Sequence, residues 1–297
     1  MYDWAVSRPD VYTNMEVLTA YADRFEEDKL RGAIFHMSRC GSTAIANAFR
    51  AVERVLVISE SRILTSIILP EAYGGIAASA PIKTLLAKSF IAAVLKECPA
   101  RGVVIKFPSF VSTGISDALM LLPVTRWCFS SRRPCEVIRS LEASKGGWLA
   151  HARGRKKAEA MLGLSVTEGE TDLSRARELY AHLLEKYLEA AVSAMEPRAV
   201  CLDYADFGDH SVSAVVGFML DDELDVASRS RIVESLQFYS KSLDRRPFIP
   251  SEDVGGKVTG FPYLDQAYER YLRALYAGHD GARNAAAGIV KTFDGSL

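Results

Sequence analysis

Five short apolar runs, at residues 33–37, 55–58, 102–107, 127–130 and 199–202, recur along the chain with helical stretches between them. A short run that is apolar throughout, rather than at every second position, suits a strand covered on both faces. The intervening segments carry helical spacing, most plainly 82–95, 135–141 and 173–195. Strands alternating with helices lead to a mostly parallel sheet sandwiched between helices, so the expected fold class is α/β. Ligands in such folds bind at the carboxyl ends of the strands.

Residues 14–30 predict an amphipathic helix, from the spacing of Met15, Val17, Leu18, Tyr21 and Phe25. Beyond residue 205 the pattern turns mainly helical, with 212–220, 226–243 and 263–276 as the segments. One domain over 1–297 is expected, with a helical extension at 1–31, a candidate lid insertion at 146–171 and a mainly helical part from 205 to 297. The insertion is read from Arg153-Gly154-Arg155-Lys156-Lys157, which breaks the apolar rhythm. Such a charge run is either a solvated face or a segment facing substrate.

The chain has 297 residues, 49% of them hydrophobic and 25% charged, enough to bury a sizeable core. Its 36 basic and 37 acidic residues leave a net charge of −1, which gives no electrostatic case for a nucleic-acid or membrane partner. Any anion site must be local. No uncharged stretch approaches the roughly 20 residues that span a bilayer, and Met1-Tyr2-Asp3-Trp4 does not open as a secretory leader. The five cysteines, at 40, 98, 128, 135 and 201, are scattered and form no C-x-x-C pair. Reduced thiols in a cytoplasmic protein, with neither a disulfide framework nor a zinc site, are the expectation.

The first apolar run is followed by Ser38-Arg39-Cys40-Gly41-Ser42-Thr43. A helix start exposes unpaired N–H groups and the positive end of the helix dipole, so a tight loop feeding it from a strand makes an anion site. Gly41 permits close backbone approach, Ser42 and Thr43 supply hydroxyls, and Arg39 adds a fixed charge. An ordinary capped strand-to-helix turn is the plainer alternative. No Lys follows Gly41, so the loop departs from G-x-x-x-x-G-K-[ST].

The segment 36–43 resembles the 5′-phosphosulfate-binding loop of the sulfotransferase family, especially bacterial members with a Ser-Arg-Cys-Gly-Ser-Thr version. A second match follows the fourth run: Arg132-Arg133-Pro134-Cys135-Glu136-Val137-Ile138-Arg139-Ser140 is similar to the family's R-x-P-x-x-V-x-x-S segment. Weaker likenesses are Ser59-Glu60, Lys106, and Leu202-Asp203-Tyr204-Ala205-Asp206-Phe207. The resemblance implies a P-loop NTPase-like sulfotransferase fold and an enzyme that moves a sulfuryl group from PAPS, 3′-phosphoadenosine 5′-phosphosulfate, to a hydroxyl or amine of a small-molecule acceptor. It implies donor contacts from Ser38, Arg39, Cys40, Gly41, Ser42 and Thr43, with Arg132 and Ser140 on the 3′-phosphate and Lys257 in a closing loop. No metal is required.

In-line transfer of this kind needs charge stabilisation on the leaving oxygen and removal of the acceptor proton. Arg39 and the loop N–H groups are candidates for the first task. Lys106, a charge inside the run 103–107, must be paired or stand at the strand's exposed end; it could stabilise the transferring group. Pro108 occupies the position where cytosolic relatives place a histidine base. Glu60 is the replacement candidate, with a helix-starting carboxylate as its plainer reading, and His151 beside the candidate lid is the alternative base. His36 reads as a packed or hydrogen-bonded histidine. Cys40 stands at a helix start, where thiolates are favoured, but without a visible base partner. Two other classes remain: an ATP-dependent kinase of a small molecule, and a catalytically silent nucleotide-binding protein.

Overall fold

The computed structural model describes residues 14–70, 78–98, 100–143, 173–237, 260–276 and 291–292. The candidate lid with His151, and the loop with Lys257, lie outside them. Among the described residues six strands form one sheet: β1 (Leu30–His36), β2 (Val55–Ser59), β3 (Gly102–Lys106), β4 (Arg126–Ser131), β5 (Ala199–Asp203) and β6 (Lys291–Thr292). Their spatial order is β2-β3-β1-β4-β5-β6. The first five run parallel, and β6 pairs antiparallel with β5 at the edge. The part after residue 205 therefore contains a strand as well as the expected helices. Two residues carry no periodicity, which is why the sequence gives no sign of it.

Ten helices are described: α1 (Met15–Ala22), α2 (Ser42–Ala51), α3 (Arg62–Ile68), α4 (Ala80–Glu97), α5 (Ile115–Leu121), α6 (Pro134–Ala143), α7 (Leu173–Ala194), α8 (Asp209–Leu220), α9 (Val226–Leu236) and α10 (Pro262–Tyr276). Helix α1 is shorter than the pattern over 14–30 implies. It stops at Asp23, and a 3-10 turn at Glu27–Lys29 feeds β1, whose first residue, Leu30, is fully buried against Val103. Among the described residues, no helix is long and apolar enough to cross a membrane.

The alternation of side chains along each strand divides the interior in two. Ala33, Phe35, Val103, Ile105, Trp127, Phe129 and Cys201 face one side, where α4, α5, α7 and α10 cover them. Ile34, Val104, Cys128, Val200 and Leu202 face the other, under α2, α8 and α9. Both faces being covered explains why the strands read as unbroken apolar runs. Phe35 anchors the first face, with its ring 5.2 Å from Phe107 in a stack and 5.9 Å from Trp127 edge-on. Burying each such side chain contributes about 1.5–3 kcal/mol.

Lys106 has the parity of Val104, so its side chain enters the α2 side at the carboxyl end of β3. There its charge lies near enough to act on Cys40, in the segment joining β1 to α2.

Candidate functional site

The carboxyl edge of the sheet gathers most of the residues singled out from the sequence. Between β1 and α2 the backbone turns through left-handed conformations at Ser38 (φ 74°), Arg39 (φ 53°) and Gly41 (φ 81°). Only Gly41 adopts such a φ without a Cβ penalty, and the other two must be held. Ser38 is held by His36: its N–H donates to His36 Nδ1 at 2.9 Å, while His36 Nε2 stands 3.0 Å from the Phe107 carbonyl. A backbone N–H can only donate and a carbonyl can only accept. These partners assign the imidazole to its Nε2–H tautomer and engage both ring nitrogens, the hydrogen-bonded role expected for His36.

Two hydroxyls extend the scaffold. Ser112 Oγ accepts from the His36 N–H at 3.0 Å, and Ser130 Oγ donates to the Cys40 carbonyl at 2.7 Å. Tyr180, fully buried on α7, places its hydroxyl 3.5 Å from the Met37 carbonyl, and burial raises its pKa. Neither serine nor Tyr180 stands out in the sequence. Each lies 76 to 143 residues from the group it supports, and no local pattern marks such a contact.

Helix α2 starts at Ser42, with both Ala44 N–H and Ile45 N–H donating to the Gly41 carbonyl. Among the described residues, the N–H groups of Arg39, Gly41 and Thr43 donate to no carbonyl or side chain. Unsatisfied donors gathered just before and at a helix start favour an anion. Arg39 adds charge: its Nε donates to Ser140 Oγ at 2.9 Å and a terminal nitrogen to the Ser140 carbonyl at 3.3 Å. Among the described residues no carboxylate neutralises it.

The segment after β4 meets this loop directly. Arg132 Nε donates to Glu136 Oε2 at 2.7 Å, and its NH1 to the Arg39 carbonyl at 3.1 Å. Pro134 occupies the first position of α6, where its missing N–H costs nothing, and Ser140 lies on that helix facing Arg39. Arg39, expected on the departing phosphate, thus reaches the residue expected on the 3′-phosphate.

At the next strands, Lys106 Nζ is bonded to Glu60 Oε1. The two side chains differ sharply in environment, 2% exposed for Lys106 and 51% for Glu60. Glu60 has φ 51°, and its N–H donates to the Lys106 carbonyl at 2.7 Å. Backbone and side chain of Glu60 are therefore both fastened to the same lysine. The register Ser59↔Lys106 puts them side by side.

Cys40 is fully buried, and burial raises its thiol pKa, opposed by hydrogen bonding from Ser130 and Ser42 and by the nearby Lys106 charge. The helix start does not make it a reactive thiolate. Of the five cysteines only Cys98 is exposed. Titration of the folded protein with an aromatic disulfide reagent is expected to show a fast phase that Cys98→Ser removes, with Cys40 reacting only on unfolding. Rapid labelling of Cys40 would contradict this.

No protein-family model matches this chain, and no curated protein sequence does. Several solved structures are similar in the course of the chain. A sulfotransferase from Mycobacterium avium shares 14% identity with a TM-score of 0.49, over 86% of this chain and 80% of that one. The sulfotransferase domain of the olefin synthase from Synechococcus PCC 7002 shares 11% with a TM-score of 0.49, over 81% and 94%. The sulfotransferase domain from the curacin biosynthetic pathway shares 13% with a TM-score of 0.43, over 86% and 94%. At such identities the assignment of residues rests on the contacts within this chain.

Proposed function

We propose that the protein is a sulfotransferase that moves a sulfuryl group from PAPS to a hydroxyl or amine of a small-molecule acceptor. The observation that carries this reading is the joining of the two motif segments: Arg39 bonds Ser140, and Arg132 bonds the Arg39 carbonyl, 101 and 93 residues apart in sequence. A loop with N–H groups unsatisfied and a cation without a carboxylate partner among the described residues, together with a second arginine, suits a ligand with separated anionic groups.

PAPS supplies the sulfuryl group; the bond from sulfur to the bridging oxygen breaks, and one from sulfur to the acceptor oxygen or nitrogen forms. In this reading residues 38–43 hold the 5′ end through backbone N–H groups and the Ser42 and Thr43 hydroxyls, with Arg39 supplying charge. Arg132 and Ser140 hold the 3′-phosphate. Lys106, delivered through an apolar strand, stabilises negative charge beside the loop. Glu60 is half-exposed and takes the acceptor proton. His151 and Lys257 keep their proposed places as alternative base and closing residue, outside the described residues. The scheme uses no metal, and the acceptor enters from the solvent side of Glu60.

Thermal-shift titration with PAP, with PAPS, and with ATP plus magnesium tests the reading. At a hundredfold excess over Kd, PAP is expected to stabilise the protein by about 2.7 kcal/mol. Stabilisation by ATP and magnesium alone would replace the reading with a kinase. Binding of PAPS without product across a broad panel of hydroxyl and amine acceptors would leave a silent nucleotide-binding protein.

A further inference from the structure

We infer that the turn after β5, residues 203–207, is a second support of the loop between β1 and α2, with Tyr204 and Phe207 as positioning residues that set how tightly the loop holds its anion. The anion is the 5′ end of the donor proposed above, so the inference rests on that reading.

The turn is fixed from three sides. Asp203 is 6% exposed. Its Oδ1 accepts from the Ala205 N–H at 3.0 Å, closing the 3-10 turn Tyr204–Asp206. Its Oδ2 accepts from Ser131 Oγ on β4 and from the Tyr268 hydroxyl on α10, each at 2.7 Å. A buried carboxylate bonded this fully has little freedom, and the backbone that follows it inherits the restraint.

Both aromatic residues carried by the turn act on the loop. The Arg132 guanidinium carbon lies 4.2 Å from the centroid of the Tyr204 ring, a cation–π contact. With the ring on one face and Glu136 on Nε, the guanidinium is oriented so that NH1 holds the Arg39 carbonyl at 3.1 Å. Phe207, at the far end of the turn, packs near Tyr204 with 5.6 Å between ring centroids. It also lies against Gly41 so closely that a Cβ there would come within 2.6 Å of its ring. Tyr204, through Arg132, thus holds one end of the stretch Arg39–Gly41, and Phe207 backs the other.

That stretch needs support. Ser38, Arg39 and Gly41 are all left-handed, and a non-glycine residue in that region persists only where its surroundings over-determine it. If the turn loosens, a smaller fraction of molecules holds the loop in its binding shape, and apparent affinity falls by that fraction. In this account Tyr204 acts on Arg132 through the face of its ring.

Tyr204→Leu and Tyr204→Phe, compared with wild type, test this. Tyr204→Leu is expected to weaken PAP binding about tenfold by calorimetry. Without ligand, it should speed hydrogen exchange at Ser38, Ala44 and Ile45 about tenfold while leaving β3 unchanged. Tyr204→Phe is expected to restore both readouts to within about twofold of wild type. Wild-type affinity and protection in Tyr204→Leu would overturn the inference. So would a Tyr204→Phe variant as weak as Tyr204→Leu, since the hydroxyl would then be the working group. If wild type fails to bind PAP, the donor reading fails, and the exchange measurement alone decides the role of the turn.

Discussion

Lys106→Met is expected to lower turnover by about two to three orders of magnitude, the loss seen when a preorganised charge at a developing anion is removed. Its stability is expected to change little. The variant takes a charge out of the interior and leaves behind Glu60, which at 51% exposure is free to be hydrated. The reverse substitution behaves differently. Glu60→Leu strands an ammonium group whose side chain is 2% exposed, and breaking a buried pair from that side is expected to cost about 3 kcal/mol. Glu60→Gln keeps a hydrogen-bond acceptor for Lys106 but removes the proposed base, so turnover at saturating PAPS is expected to fall while most of the stability survives. Product formation under saturating donor and urea denaturation midpoints separate the two properties. Near-normal turnover in Glu60→Gln removes Glu60 from catalysis, and equal stability losses in Lys106→Met and Glu60→Leu contradict the stranded-charge account.

Gly41→Ala is expected to destabilise the protein by about 2–4 kcal/mol and to abolish measurable PAP binding, from two separable causes. A φ of 81° places an alanine Cβ against its own carbonyl, and the same Cβ would stand 2.6 Å from the Phe207 ring. Phe207→Leu in the Gly41→Ala background relieves the contact and leaves the backbone cost of about 1–2 kcal/mol. The double variant should therefore be more stable than Gly41→Ala alone, as read from denaturant midpoints. Strictly additive losses would show that Phe207 does not press on the glycine.

The strands were legible because covering both faces of a parallel sheet demands unbroken apolar runs. Trp127, Cys128 and Phe129 serve opposite faces yet all read as core. Helices α3 and α5 did not stand out, since seven residues complete only two turns and leave little periodicity to detect. The structure shows Ser61 capping the first, its side chain accepting from the Leu64 N–H.

The candidate site residues could be picked out by type but not as pairs. Glu60 and Lys106 each followed from position at a strand end, but their bond depends on the register of β2 against β3. Arg39 read as a phosphate ligand from its neighbours, and nothing local pointed its side chain toward Ser140. Asp203 did carry a signal. An aspartate two residues before an N–H it can accept is a common turn former, and here the turn holds the two aromatics against the loop.

The central place of β1 also has a bearing on how the chain acquires its structure. Strand β1 is made first but lies between β3 and β4, so its loop gains no neighbours until much later residues arrive. Ser112 is 76 residues on, Ser130 is 90 residues beyond Cys40, and Ser140 is 101 beyond Arg39. During synthesis, a nascent chain ending before β4 carries residues 36–43 with Phe107 and Ser112 but without Ser130, Arg132, Ser140 and Tyr180. Such long-range closure is slow relative to local helix formation. The turn at residues 203–207 comes later still, making the loop among the last parts of the sheet edge to take its final shape.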